Sequence, residues 1–225
     1  MLKAVIFDFD GVITDSEMLH LKAFNEALIS YSINITEEDY YSEYLGLTDR
    51  DLLKTLNERG ILKAEASEHA KILKQKKKIF AKLAKCESQI IDGVREFLQM
   101  LAVNKIPMAI CSGALLGEIE LILNQTDLRK YFETIVSAQD VAKGKPDPQG
   151  FVLTLKKLQE KNPEILPQDC VVIEDSRWGL EAAKAAGMKT IAVTNSYDEK
   201  ELSAADKITD NLAKLTISEL EKISS

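Results

Sequence analysis

The sequence predicts an α/β protein with a parallel β-sheet core and an all-helical domain inserted near its amino terminus. Two observations carry this prediction. From residue 90 onward, short apolar runs alternate with amphipathic helical segments, and the runs are continuous, as in strands covered on both faces. Residues from about 16 to 88 contain several helix starts and no convincing strand. We therefore expect an α/β core at residues 1–15 and 89–225, and a helical domain at residues 16–88.

Five apolar runs are the candidate strands of the sheet, and helices connect them as crossovers. The runs lie at residues 4–7, 108–111, 134–137, 171–173 and 190–193. Helices are predicted at residues 93–103, after the second run, at 149–159 and at 180–186, the last of which is ended by Gly187. A weak strand at 207–208 and a short amphipathic helix at 217–223 follow.

The inserted helical domain is indicated by its helix start signals. Ser16 is a candidate N-cap for the first helix, and Thr36 and Thr48 each precede an acidic residue by three positions, as in a capping motif. The stretch 67–85 is rich in lysine and lacks glycine and proline. It is therefore predicted to form one long, solvated helix.

Composition and charge exclude several classes of function. The formal net charge of −7 over 225 residues argues against a nucleic-acid partner, which would need a basic face. No apolar run approaches the ~20 residues that span a bilayer, and the amino terminus runs directly into a strand, unlike a signal peptide. The three cysteines lack a CxxC pattern and indicate free thiols in a reducing compartment. We expect a cytoplasmic protein, a monomer by default, without membrane or nucleic-acid partners.

Polar residues follow the apolar runs at the points where strands are predicted to end. They are Asp8, Asp10, Ser112, Lys145, Glu174 and Asp175. Because ligands bind at the carboxyl edge of a parallel sheet, we expect these side chains to converge on one site. Four carboxylates, a lysine and a hydroxyl in that place indicate a magnesium-dependent site for phosphoryl transfer.

The four carboxylates divide into chemical and metal-binding roles. Asp8 is placed to attack phosphorus and form an aspartyl-phosphate. Asp10 lies two residues further and on the same side of an extended chain, where it can protonate the leaving group and later activate water. Asp8 and Asp175 are the first choices as magnesium ligands. The backbone carbonyl of Asp10 is a further candidate, and Glu174 either binds the ion directly or holds a metal-bound water.

The remaining residues would manage the charge of the phosphoryl group. Ser112 and the Gly113 amide come just before a predicted helix, where backbone donors favour a phosphate oxygen. Lys145, in the segment Gly144-Lys145-Pro146-Asp147, would offset the negative charge that accumulates between Asp8 and the phosphoryl group.

These motifs resemble the haloacid dehalogenase-like superfamily over nearly the whole chain. The segment from Asp8 to Ser16 matches its first motif, Ser112 the second, Lys145 the third and the segment Glu174-Asp175-Ser176 the fourth. The resemblance implies a Rossmann-like core with the sheet order 3-2-1-4-5, and a helical cap inserted after the first motif. An aspartate at the position of Asp10 is similar to the phosphatases and phosphomutases of the superfamily, which makes halide and phosphonate chemistry unexpected.

Within the superfamily, the chain most resembles β-phosphoglucomutase and its phosphatase relatives, including the phosphoglycolate-phosphatase-like enzymes. The resemblance makes His20, on the first cap helix, a candidate substrate-binding residue that reports cap closure to Asp10. Mutases of this type carry an arginine directly after the serine or threonine of the cap loop. Here Thr48 is followed by Asp49, and Arg50 comes one position later, which turns its side chain by about 100° on a helix.

Thr48, Arg50 and Lys76 are the candidate phosphate ligands of the cap, although a solvated lysine-rich face explains Lys76 as well. Without a firm second anion site, water is the expected phosphoryl acceptor. We therefore predict a magnesium-dependent phosphatase that acts on a small phosphorylated metabolite, a sugar phosphate or a phosphoglycolate-like ester, enclosed by the cap. A phosphosugar mutase of the β-phosphoglucomutase type is the first alternative. A catalytically silent binding module on the same fold is the second.

Overall fold

A computed structural model of the protein describes residues 1–45, 47–87 and 90–224. The described chain forms two compact units, one made of Met1–Asp15 with Gln89–Ser225 and the other of Ser16–Ser88. The boundary predicted between residues 88 and 89 falls on residues outside the described ranges, as does Gly46 of the predicted cap loop. No helix among the described residues is long and apolar enough to cross a membrane.

The first unit contains one parallel sheet, whose strand order among the described residues is β3-β2-β1-β4-β5-β6. The strands are β1 (Ala4–Phe7), β2 (Met108–Cys111), β3 (Thr134–Val136), β4 (Cys170–Glu174), β5 (Lys189–Val193) and β6 (Lys207–Thr209). Every residue of β1, β2 and β4 is buried, as their continuous apolar character predicts. The predicted α/β fold class is confirmed, and the order implied by the resemblance is present within the sheet.

One strand is shorter than predicted. The third strand ends at Val136, because the backbone N–H and the hydroxyl of Ser137 both donate to Asp140 Oδ2, at 2.9 and 2.7 Å, and turn the chain. The weak strand predicted at 207–208 is confirmed and extends to Thr209 as the sixth strand, in which Ile208 pairs with Ala192. Its residues are only half-buried at the sheet edge, and Ile208 is its one apolar residue, which explains the weak sequence signal.

The regular structure of the second unit is helical wherever its residues are described. Its helices are α1 (Glu17–Leu28), a single turn α2 (Glu37–Asp39), α3 (Asp49–Glu58) and α4 (Ala66–Glu87). The capping predictions at Thr36 and Thr48 are confirmed, since their hydroxyl oxygens accept the N–H of Asp39 and Asp51 at 3.1 and 3.2 Å. Ser16 stands at the N-cap position of α1, as predicted, but its side chain makes no capping hydrogen bond.

The α-helices among the described residues of the first unit are α5 (Val94–Val103), α6 (Leu116–Gln125), α7 (Gln149–Gln159), α8 (Arg177–Ala185) and α9 (Ile217–Ile223). Helix α6 begins at Leu116, so Ser112 and Gly113 lie in the loop just before it, as predicted. Helix α8 begins at Arg177, not at residue 180, because the Ser176 hydroxyl accepts the N–H of Gly179 at 3.1 Å and caps the helix.

The strand order places the ends of β1, β2 and β4 side by side. Strand β1 lies between β2 and β4, and the chain changes direction across the sheet there, which leaves a crevice at the carboxyl ends of these strands. Phe7 pairs with Ile110 on one side and with Ile173 on the other. The residues that follow each strand therefore lie at one level, as the sequence predicts.

The cysteine prediction holds for the two thiols that the structure describes. Cys111 and Cys170 are both buried and unpaired by disulfides. Burial raises the pKa of the Cys111 thiol to about 11 and that of Cys170 to about 12, so neither is a reactive thiolate at neutral pH. The side chain of Cys86 is outside the described part of the chain.

Candidate active site

The ends of β1 and β4 bring three acidic side chains together. Asp8 directly follows β1, and its backbone N–H donates to the Ile173 carbonyl of β4 at 2.9 Å. Asp8, Glu174 and Asp175 each present a carboxylate oxygen, and these atoms lie within 4.8 Å of one another. All three residues are buried. The register of two adjacent parallel strands is thus what creates the cluster.

Lys145 connects two members of this cluster. Its ammonium donates to Asp8 Oδ1 at 2.6 Å and also to Glu174 Oε1. The nitrogen lies 5.2 Å from the centre of the Phe151 ring, which closes its apolar side. Burial lowers the pKa of Lys145, but the carboxylates of Asp8 and Glu174 outweigh it and raise that pKa above the usual value. The lysine therefore carries a fixed positive charge beside Asp8.

Glu174 is held rigidly by its own loop and by the helix that follows. Its Oε2 accepts the N–H groups of Asp175 and Ser176, both at 3.1 Å, and the hydroxyl of Ser176 at 2.9 Å. A β-carbon at Gly179 would lie 1.8 Å from Glu174 Oε1, so only glycine allows this approach in the first turn of α8. The side chain of Glu174 is 0% exposed. It thereby fixes the position of Lys145.

Gly11 allows a similarly close approach of the Asp175 carboxylate. Its φ is +73°, in the left-handed region that favours glycine, and a β-carbon there would lie 1.9 Å from Asp175 Oδ2. The turn that follows Asp8 and Asp10 thus packs directly against the third carboxylate. The sequence analysis assigned no role to Gly11 or Gly179. Gly11 is marked in the sequence by its place directly after Asp10, whereas Gly179 stands four residues after Asp175 and has no such signal.

The electrostatics of the cluster show a deficit of positive charge. Burial raises the pKa of Asp8 to about 7, with further increases from Glu174 and Asp10, even though Lys145 acts in the opposite direction. Burial and the neighbouring carboxylates of Glu174 and Asp8 likewise raise the pKa of Asp175 well above its usual value. Converging oxygen donors that lack a second positive charge fit a hard divalent cation such as magnesium.

Asp10 raises the pKa of Asp8, but its carboxylate is not one of the three whose oxygens lie close together. Its predicted contact to a metal through the backbone carbonyl stays a prediction.

Ser112 is buried beyond β2, where its N–H donates to the Val136 carbonyl at 3.0 Å and its Oγ accepts the N–H of Ala114 at 3.0 Å. A β-carbon at Gly113 would meet open space. This loop is accordingly fixed at Ser112 and open at Gly113.

A second polar cluster lies within the helical unit. The Lys76 side chain is 0% exposed, and its ammonium donates to both Asp49 carboxylate oxygens at 2.8 Å and to His20 Nδ1 at 2.7 Å. It also lies 5.0 and 5.2 Å from the ring centres of Phe24 and Phe80. Burial and the Lys76 charge lower the pKa of His20 well below its usual value. His20 is therefore neutral, with its proton on Nε2.

The three predicted phosphate ligands of this unit, Thr48, Arg50 and Lys76, have different surroundings. The charge of Lys76 is compensated by Asp49. Thr48 is exposed, and its hydroxyl caps α3 and donates to Asp51 Oδ2 at 2.6 Å. Arg50 is exposed in the first turn of α3. The structure joins His20 to Lys76 and does not join either of them to Thr48 or Arg50 among the contacts of the described residues.

Residues 5–193 match the family model of the haloacid dehalogenase-like hydrolases. The chain is 35% identical over 191 residues to a phosphorylated carbohydrates phosphatase of Thermotoga maritima. The aligned region covers 84% of each protein. It is 29% identical over 197 residues to the β-phosphoglucomutase of Bacillus subtilis, which covers 85% of this chain and 83% of that protein. The crystal structure of a β-phosphoglucomutase from Clostridium difficile has the same fold, with a TM-score of 0.84 at 24% identity over 100% of this chain and 97% of that one.

Proposed function

The chain belongs to the haloacid dehalogenase-like hydrolases, and from this premise we propose that it is a magnesium-dependent phosphatase of small phosphorylated metabolites. The substrate class is a sugar phosphate or a phosphoglycolate-like ester. One observation carries the proposal: Asp8, at the end of the central strand, lies 2.6 Å from a permanently charged lysine and beside two further buried carboxylates. In this proposal the unit that contains the sheet is the catalytic core, and Ser16–Ser88 is the cap domain that selects the substrate.

Asp8 is the nucleophile of the proposed reaction. A carboxylate oxygen of Asp8 forms a bond to phosphorus while the bond from phosphorus to the ester oxygen breaks. Asp10 gives its proton to the departing alcohol. The ionised Asp10 then takes a proton from a water molecule, which attacks phosphorus and releases phosphate from Asp8. Two successive displacements at phosphorus thus regenerate both aspartates.

The other residues control charge and position. Lys145 offsets the approach of an anionic phosphoryl group to the Asp8 carboxylate. Ser112 and the Gly113 amide hold a phosphoryl oxygen from the loop after β2. Glu174 keeps Lys145 in place and orients the loop that carries Asp175.

Asp8, Asp175 and the Asp10 carbonyl would hold magnesium, with Glu174 as a direct or water-mediated partner. When bound, the ion supplies the positive charge that this acidic cluster lacks and that the phosphoryl oxygens need in the transition state. The proposed cation site rests on the geometry of the cluster, in which one carboxylate oxygen from each of Asp8, Glu174 and Asp175 lies within 4.8 Å of the others.

Water is proposed as the acceptor because the helical unit offers weak support for a second phosphate. Lys76 is buried and its charge is already balanced by Asp49. A mutase must hold a bisphosphate by both of its phosphates, which calls for uncompensated positive charge away from Asp8. A phosphosugar mutase is the alternative function, because the relative from Bacillus subtilis is named a β-phosphoglucomutase.

Phosphorus NMR separates these possibilities in one sample. The protein is incubated with magnesium, β-glucose 1-phosphate and a trace of glucose 1,6-bisphosphate, and a generic aryl phosphate is tested in parallel. We expect inorganic phosphate to appear from the aryl ester only when magnesium is present. Glucose 6-phosphate with little free phosphate would show a mutase. Absence of turnover of both esters at every magnesium concentration would overturn the enzyme proposal in favour of a binding module.

A further inference from the structure

The loop that follows β5 lies next to the acidic cluster on the β4 side of the sheet. Lys145 comes from the other side, in the loop that follows β3. Glu174 at the end of β4 pairs with Ala192 of β5, so the residues after Val193 extend past the same edge of the sheet. Asn195 and Ser196 lie in this loop. Neither residue takes part in the proposed reaction.

Asn195 fixes the turn that carries the proposed acid/base residue. Its side-chain amide donates to the Gly11 carbonyl at 2.7 Å, across 184 positions of sequence. Gly11 directly follows Asp10 and has the left-handed φ of +73°. The hydrogen bond to the Gly11 carbonyl fixes the orientation of the peptide group that follows Gly11. The turn after β1 is therefore attached to the loop after β5.

Ser196 lies beside the third carboxylate of the cluster. Its hydroxyl acts to lower the pKa of Asp175, against the effect of burial. The position that a β-carbon would take at Gly11 is 1.9 Å from Asp175 Oδ2 and 2.7 Å from Ser196 Oγ. The three groups thus converge on one point, and the absence of a side chain at Gly11 leaves room for the other two.

We propose that Asn195 and Ser196 are positioning residues that hold Asp175 and the Asp10–Gly11 turn in the geometry that binds a divalent cation. A hydroxyl beside a carboxylate restricts the rotation of that carboxylate, and such outer partners set metal affinity in many sites. Ser196 would act on Asp175, and Asn195 on the turn between Asp8 and Gly11. This inference rests on the proposed magnesium-dependent function.

Calorimetric titration of the substrate-free protein with Mg²⁺ tests the inference without turnover. Ser196→Ala is expected to weaken Mg²⁺ binding about tenfold. Ser196→Thr keeps the hydroxyl and is expected to bind like the wild type. Ser203→Ala is the matched control, because this exposed serine lies further along the same segment and donates only to the Lys200 carbonyl, at 2.8 Å. Asn195→Ala is expected to weaken Mg²⁺ binding in the same direction as Ser196→Ala.

Thermal unfolding in the presence of a chelator distinguishes positioning from a purely structural role. We expect Ser196→Ala and the wild type to unfold at the same temperature without metal and to differ once Mg²⁺ is added. Unchanged Mg²⁺ affinity in both Ser196→Ala and Asn195→Ala, in a wild type that binds Mg²⁺ and hydrolyses phosphate esters, would overturn this inference alone. A wild type that neither binds Mg²⁺ nor hydrolyses any ester would overturn the proposed function instead.

Discussion

Asp8→Asn is expected to lower phosphatase turnover by about 10⁴-fold or more, because the amide cannot attack phosphorus. The fold should survive the change. Burial raises the pKa of Asp8 to about 7, so the surroundings tolerate a neutral group there, and Lys145 keeps its contact with Glu174. Turnover of an aryl phosphate and the far-ultraviolet circular dichroism of the variant measure the two expectations.

Asp127→Asn is the matched control for this substitution, because the Asp127 side chain is 80% exposed and pairs only locally with Lys130. It is expected to retain full activity. A folded Asp8→Asn protein whose turnover stays within a few-fold of the wild type would remove Asp8 from the role of nucleophile.

Lys145→Ala is expected to lower kcat/KM by about 100- to 1,000-fold, since no other side chain places a fixed positive charge 2.6 Å from Asp8 Oδ1 among the described contacts. The pH profile should move as well. Lys145 lowers the pKa of Asp8 against the effect of burial, so its removal raises that pKa. The acidic limb of the activity profile, where Asp8 becomes protonated, is expected to shift to higher pH.

Lys143→Ala is the control for Lys145, because it removes a lysine from the same loop whose side chain is 76% exposed. Its activity and its pH profile should match those of the wild type. A Lys145→Ala protein with near-normal kcat/KM, or with an acidic limb shifted to lower pH, would contradict the role assigned to this residue.

The sheet was predictable because its central strands are buried on both faces and read as continuous apolar runs. Strand β6 gave a weak signal, since a half-buried edge strand needs few apolar residues. Helix starts were predictable where a threonine caps a helix through its own side chain, as at Thr48. Ser16 also stands before a helix, but Leu19 rather than an acidic residue follows it by three positions, and its side chain makes no capping bond. The acidic residue at the third position thus separates the two outcomes.

The site was predictable to the extent that it depends on strand ends. Asp8, Glu174 and Asp175 come together because β1 and β4 are adjacent, which the resemblance implied and the sequence alone did not show. The contact between Asn195 and Gly11 spans 184 positions and depends on the path of a loop, for which a single sequence carries no periodic signal. The pairing of Lys76 with Asp49 depends likewise on the packing of two separate helices.

The most direct test of the central claim is a burst experiment on Asp10→Asn with magnesium and 4-nitrophenyl phosphate. This ester has a good leaving group and needs no acid, whereas release of phosphate from Asp8 needs the base that the variant lacks. We predict a rapid burst of about one equivalent of nitrophenolate per protein, followed by slow turnover, with the phosphoryl group on the Asp8 peptide in acid-quenched protein. Neither burst nor label should occur in Asp8→Asn/Asp10→Asn. A variant without a burst and with unmodified Asp8, beside a wild type that hydrolyses the same ester, would contradict the account.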